Sequence, residues 1–233
     1  MSTNDEQAAP KRAYNAESRR ERAEQERSDT RRRVLVAART RFLADGYAGT
    51  KMLDIAAEAG VALASVYRAG SSKSELVQAL LEMAITGRDP AEPAEDAGVT
   101  APPLATLGPP SYPHIAATPE PEEQVGMIAD RLVEVLERIG PLWGVLRDAA
   151  AVDARAAEAM RVAFDRRGAS FEVAVGLLPP ERLRGGAQEC IDVLWALTTP
   201  ELHGVLRVDR GWSRERYHQW LRRTLVVQLL EQK

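Results

Sequence analysis

The chain contains one cysteine, Cys190, among 233 residues, so no intrachain disulfide can brace it, as suits a reducing compartment. No apolar run approaches the ~18 residues of a membrane span. The first residues are polar and charged, without the apolar stretch of a secretory signal, so the expected location is cytoplasmic. A net positive charge is also missing. The formal balance is −3, with 14 Lys/Arg against 12 Asp/Glu in residues 1–86 and 17 against 22 in the remainder. A mildly basic first third beside an acidic remainder suits local contact with nucleic acid, not a polybasic coat.

The usual signatures of catalysis are absent as well. There is no nucleophile elbow, P-loop, dinucleotide fingerprint or zinc spacing. His114, His203 and His218 lie far apart, with no paired ligand spacing. Cys190 falls mid-helix among apolar residues and reads as a small buried hydrophobe, not a nucleophile. The reading is therefore a non-enzyme with no metal and no cofactor. An all-helical enzyme would need a constellation assembled only in space.

What is present is helical periodicity. Residues 1–30 have few large apolar side chains and read as a charged, flexible arm, part of which can extend the first helix. Its arginines (Arg19, Arg20, Arg22, then Arg31 to Arg33) are offset by Glu17, Glu21, Glu24 and Glu26, which favours a solvated extension over a DNA-reaching arm. From Arg31, Val34, Leu35, Ala38 and Phe42 recur at helical spacing, with a stop at Gly46. Thr50 is placed to cap a second helix, Met52 to Ala59, ended by Gly60. A third follows, about Leu63 to Arg68, broken by Gly70, and Ser72 can cap a fourth through Thr86.

Nine of the chain's 14 prolines fall within residues 87–121, which excludes regular helix across that stretch and marks a linker. Residues 122–233 return to the helical period, with Val125, Ile128, Ala129, Leu132, Leu136 and Ile139 forming one stripe. Further helices are expected over Leu142 to Ala151, Arg155 to Leu178, Ala187 to Thr198, Glu201 to Val208 and Ser213 to Leu230. No alternating strand pattern and no internal repeat is evident. The expected fold class is all-α, with one helical domain over residues 31–86 and a second over residues 122–233.

The block Thr50 to Lys73, TKMLDIAAEAGVALASVYRAGSSK, sets two short helices at a Gly-containing turn, with small Ala56 and Ala59 allowing a close crossing. This is helix-turn-helix construction, in which the second helix enters the major groove. The same block, with Phe42, Gly46 and Tyr47 before it and Leu76 after it, resembles the tetracycline-repressor (TetR/AcrR) family of bacterial regulators. Matching residues include Thr50, Asp54, Ile55, Ala56, Gly60, Val66, Tyr67, Arg68 and Lys73. Within residues 187–225, DVLWALTTPEL and RGWSRERYHQWL resemble an actinobacterial branch of that family.

The resemblance implies an N-terminal three-helix DNA-binding domain with a helix-turn-helix (31–86, its fourth helix a connector) and a C-terminal helical domain for ligand binding and dimerisation. It also implies that Thr50 and Lys51 contact phosphates at the head of the second helix. It places Leu63, Ala64, Ser65 and Arg68 toward the groove, and Tyr67 and Lys73 on phosphates. Only Ser65 and Arg68 carry groups suited to base edges, and Arg prefers guanine. The other reading is that Tyr67 is half-buried core and that Lys51 and Lys73 are solvated charges. Two positions depart from the family pattern. Ala62 stands where Ser or Thr usually caps the recognition helix, and Gly70 where an aromatic usually packs the turn. Both suggest a recognition helix held less firmly.

All four tryptophans, Trp143, Trp195, Trp212 and Trp220, lie in the C-terminal domain. The resemblance implies a pocket there, for which the candidate lining is Met127, Trp143, Met160, Phe164, Phe171 and Trp195. Each of these could equally be plain core. On the final helix apolar residues wrap more than one face, so one face can serve a partner. The expected homodimer interface comprises Leu194, Tyr217, Trp220, Leu221, Leu225 and Leu229. The expected partners are thus near-palindromic double-stranded DNA, a second copy and a small hydrophobic ligand, with no membrane. A regulator without an inducer pocket, or one that activates, stays open. A cavity in the unliganded fold separates the first of these.

Overall fold

In the computed structural model, residues 8–87 and 113–231 are described. Eleven α-helices are found among them: α1 (Ala8–Gly49), α2 (Met52–Ala59), α3 (Leu63–Ala69), α4 (Lys73–Thr86), α5 (Pro113–Ala116), α6 (Pro121–Ile139), α7 (Trp143–Val152), α8 (Ala154–Gly176), α9 (Ala187–Leu197), α10 (Pro200–Gly204) and α11 (Arg214–Leu229). A π-helical turn, Val205–Asp209, continues α10. The all-α expectation holds. Strand-like pairing among the described residues is confined to Leu183 with Leu230, which ties the end of α11 to the loop before α9.

The N-terminal stretch read as an arm is helical from Ala8, the solvated extension of α1. Arg19, Arg20, Arg22, Arg32 and Arg33 are exposed on it. The helical path is broken at Gly46, where φ is 71°, a left-handed value that glycine adopts without strain. Gly60 ends α2 in the same way (φ 62°), its N–H reaching the carbonyls of Ala56 and Ala57. Most of the proline-rich stretch lies outside the described residues. Its end forms the short α5, and Pro121 occupies the first turn of α6, where a missing N–H costs nothing.

Caps delimit the later helices. Ser72 accepts from the Glu75 N–H at the head of α4. Asp153 separates α7 from α8 and accepts from the N–H groups of Arg155 and Ala156. Ser213 accepts from Arg216 at the head of α11.

One continuous core runs from the first helices to the last. Val34, Leu35, Ala38 and Phe42 of α1 pack against Ile55 and Ala56 of α2, Val66 of α3 and Leu76 of α4. The stripe expected on α6 is buried except for half-buried Leu132. α6 lies along α11, α8 along α9, and α4 is wedged between α1 and the helices α6, α7 and α8.

The expected dimer surface is corrected here. Leu194, Tyr217, Leu221, Leu225 and Leu229 are at most 1% exposed within a single protomer. They are one i, i+4 stripe plus its α9 neighbour, turned onto α6 and α9, and cannot also touch a partner. Of the six, only Trp220 reaches the surface, half-buried. The second apolar face of α11 consists instead of Trp220 with Val227, which is 39% exposed.

Candidate nucleic-acid interface and ligand cavity

α3 is anchored by one residue. Val66 is fully buried, while Leu63, Ala64, Tyr67 and Arg68 are exposed and Ser65 is half-buried. A short helix with one apolar anchor presents its remaining faces outward, as a groove-reading helix requires. The Arg68 guanidinium donates to Ser65 Oγ at 2.8 Å, so the two groups able to read base edges stand together. Tyr67 is 49% exposed, which removes the half-buried-core reading. Lys51, at the head of α2, is exposed beside them.

Thr50 behaves otherwise. It is 1% exposed, and its hydroxyl donates to the Gly46 carbonyl at 2.8 Å. The cap position of α2 falls on Lys51, which makes no side-chain cap. The break at Gly46 leaves a carbonyl within Thr50's reach, so Thr50 closes the α1–α2 turn from inside, and a phosphate contact through its hydroxyl is corrected. Lys73 is committed inward too. Its ammonium donates to the Tyr47 carbonyl at 2.7 Å and lies 4.6 Å from the centre of that ring.

Ala62 caps α3 with no side-chain hydrogen bond, as expected. The other end of α3 is held instead. The Gly70 N–H donates to Val66 O at 3.0 Å, and the Arg31 guanidinium of α1 donates to Ala69 O. Gly70 is buried with extended backbone, and a Cβ there would come within 2.7 Å of Leu76 Cδ2. Leu76 thus fills the space an aromatic at residue 70 would take, and the turn loses no packing.

A contact not foreseen from sequence joins this head to the remainder. The Tyr47 hydroxyl donates to Asp153 Oδ2 at 2.9 Å. Burial, then the adjacent carboxylate, pushes the Tyr47 phenol up to about 12. The Tyr47 hydrogen bond, followed by the backbone N–H groups of the α8 cap, holds the Asp153 carboxyl below its ordinary value. Nothing local in the sequence singled out Asp153, whose partner is 106 positions away.

The C-terminal domain contains a cavity of about 300 Å³. Trp143 of α7 and Met160, Phe164 and Phe171 of α8 line it, four of the six expected residues. Trp195 stands one layer back, its ring centre 5.4 Å from Phe171 and 6.2 Å from Phe164. Met127 is on the α5 side of α6, its sulfur accepting from Thr118 at 3.7 Å. Both are corrected as lining residues: helical spacing reports a buried face, not which neighbour it meets. The reading missed the wall from α4, formed by Leu81, Glu82 and Ile85, and three arginines, Arg131, Arg166 and Arg167.

α4 therefore touches both regions. Ser72, Lys73 and Leu76 hold the head, and Leu81, Glu82 and Ile85 face the cavity two turns later. The far end of α4 is gripped by Arg138 Nε, which donates to Ala84 O at 2.8 Å, and by Arg166, which pairs with Glu82 at 3.0 Å. Elsewhere, Cys190 is fully buried and burial raises its thiol, as a core residue's should be.

The architecture is a small helix-turn-helix head whose fourth helix is built into the wall of a hollow helical domain. Residues 34–80 match the family model described as bacterial regulatory proteins, tetR family. The chain as a whole has the fold of solved regulators of that type. A transcriptional regulator from Saccharomonospora viridis, solved with choline, is 20% identical with TM-score 0.61, over 88% of this chain and 100% of that one. NalD of Pseudomonas aeruginosa, secondary repressor of the MexAB-OprM multidrug efflux pump, is 18% identical with TM-score 0.59, over 88% and 98%. SmeT, solved with triclosan, is 19% identical with TM-score 0.57, over 87% and 92%. No curated protein sequence matches the chain. No helix among the described residues is long and apolar enough to cross a membrane.

Proposed function

We propose that this protein is a cytoplasmic, homodimeric transcriptional repressor that grips a near-palindromic DNA duplex through α3 and lets go when a small apolar molecule fills the C-terminal cavity. The observation that carries the reading is the double role of α4. A ligand that fits the cavity best with α4 displaced shifts the population toward a state whose reading helices are wrongly spaced. The cavity also weighs against a regulator without an inducer. In two relatives of this fold the solved ligand is small, choline or triclosan.

Leu63, Ala64, Ser65 and Arg68 face the groove, and Tyr67 and Lys51 take phosphates. A two-fold dimer places two such helices ~34 Å apart or somewhat more. The partner face is the outward side of α9 and α11, in the region whose sequence resembles the actinobacterial branch, with Trp220 and Val227 at its centre. No role falls to a metal, a cofactor or catalysis.

Selection of duplexes from a random pool by the purified protein tests this directly. A recovered near-palindrome is expected, with binding that falls steeply with salt as counterions are displaced. Arg68→Ala should relax one base position by about 1–3 kcal/mol, whereas Lys51→Ala should weaken all sequences alike and flatten the salt slope. Retardation of no duplex at low ionic strength would end the proposal.

A further inference from the structure

The cavity is not uniformly apolar, and positive charge predominates among its charged lining residues. Three of its lining residues are arginines and one, Glu82, is a carboxylate. Glu82 is occupied by Arg166 at 3.0 Å, on the exposed rim. Arg131 shares Glu134 at 3.0 Å. Arg167 differs from both. Among the described residues no carboxylate forms an ion pair with it, and its recorded hydrogen bonds go to neutral oxygens, Thr198 Oγ1 at 3.1 Å and the Trp195 carbonyl at 3.4 Å.

Arg167 is also partly withdrawn from water. Its guanidinium carbon lies 4.4 Å from the centre of the Trp195 ring and 5.0 Å from that of Phe171. Burial pushes its pKa down to about 10, against a smaller opposing pull from the Glu201 carboxylate, so the cation persists at neutral pH. Taking a charge out of water without a paired carboxylate is costly, and an anion in the cavity would reduce that cost. The same stacking occupies Phe171, one of the aromatic rings of the lining, and places a cation where a cationic ligand would be repelled.

Size narrows the choice. A cavity of roughly 150 Å³ accepts benzene, and this one holds about 300 Å³. The remaining walls, Trp143, Met160, Phe164 and Leu136, suit a flat apolar body of about two rings. We infer that the inducer is a small aromatic monocarboxylate whose carboxylate pairs with Arg167 while its rings fill the cavity between α4, α6 and α8. This rests on the proposed ligand role of the cavity and assigns that ligand's charge.

Calorimetric titration of the full chain with 2-naphthoate, its uncharged counterpart 2-naphthamide, and choline tests the inference without a variant. Naphthoate should bind at least about tenfold tighter than naphthamide, as a charge-assisted pair exceeds a neutral one. Choline should not bind. Arg167→Met keeps the apolar stem against Trp195 and should bring naphthoate and naphthamide to equal affinity. Ala163→Phe, which narrows the cavity and leaves Arg167 in place, should remove both. Equal affinities on the unmodified protein, or binding of choline, overturn the assigned charge and leave the cavity reading intact where Ala163→Phe still abolishes binding. Naphthoate binding that survives Ala163→Phe puts the site elsewhere, and both readings fall. Binding of none of the three overturns the inference, while duplex selection still decides the regulator reading.

Discussion

The head and the hollow domain solve the same packing problem with different margins. In the head, the reading helix is lightly held: Val66 is the one fully buried residue of α3, and Leu76 fills the gap over Gly70. In the C-terminal domain, long helices meet along stripes. α11 buries Tyr217, Leu221, Leu225 and Leu229, all 0% exposed. A reading helix held by few contacts can re-aim its surface at small cost, and a domain held by many can enclose a cavity without collapsing. The difference shows where this chain can tolerate motion. It also shows where the contrast can be broken experimentally.

The largest effect is expected on the stripe. Leu225→Ala removes a fully buried side chain and should cost about 2–5 kcal/mol in denaturant unfolding. Val227→Glu, two residues along on the outward face, should leave the monomer's unfolding nearly unchanged and shift the sedimenting mass from dimer to monomer. If Leu225→Ala merely dissociated a stable protomer, the correction made to the interface would be wrong. The pair separates core from interface on one helix.

That distinction also marks how far the sequence can be read. The helices of the head fell where local signals placed them, because Gly46, Gly60 and Ser72 act on their own neighbours. α3's outward residues were legible because a resemblance at the level of single positions carried them. The failures were long-range. Periodicity identified α11 as apolar, but which of its faces meets α6 depends on residues nearly a hundred positions away. Thr50 was legible as a cap, but the carbonyl it satisfies is exposed by the break at Gly46. Arg167 left no trace, since a lone arginine in an amphipathic helix reads as solvated charge.

The link between the two regions should give an intermediate effect. Tyr47→Phe keeps the ring on Phe42, 5.8 Å away, and deletes the bond to Asp153. A loss of about 1 kcal/mol is expected, together with a changed ligand response, because head and sensor lose a direct tie. The pH dependence has a definite sign. Asp153's carboxyl is depressed in the folded state, so its contribution is present above its unfolded value and is lost as pH falls through the lower folded one. Tyr47's phenol is raised to about 12 from 10.0, so its contribution is present below pH 10 and is lost as pH rises toward 12. The gap between the native protein and Tyr47→Phe should thus be flat near neutrality and narrow at both extremes. A gap that widened in acid would contradict the bond.

The smallest effect concerns the recognition helix itself. Ala62 occupies the cap position with φ −66° and ψ 145°, extended values that serine also adopts there. The Ser65 N–H already donates to the Ala62 carbonyl at 2.8 Å, so a hydroxyl at residue 62 would accept chiefly from the Ala64 N–H of the first turn. Ala62→Ser should then add about 0.5–1 kcal/mol and raise the melting temperature slightly. The side chain is exposed, so no packing opposes it. The gain is limited because α3 is already held at its far end by Arg31 and Gly70. An unchanged or lower melting temperature would mean that those two contacts fix α3 completely, and the margin ascribed to the head would have to be placed in α4 instead.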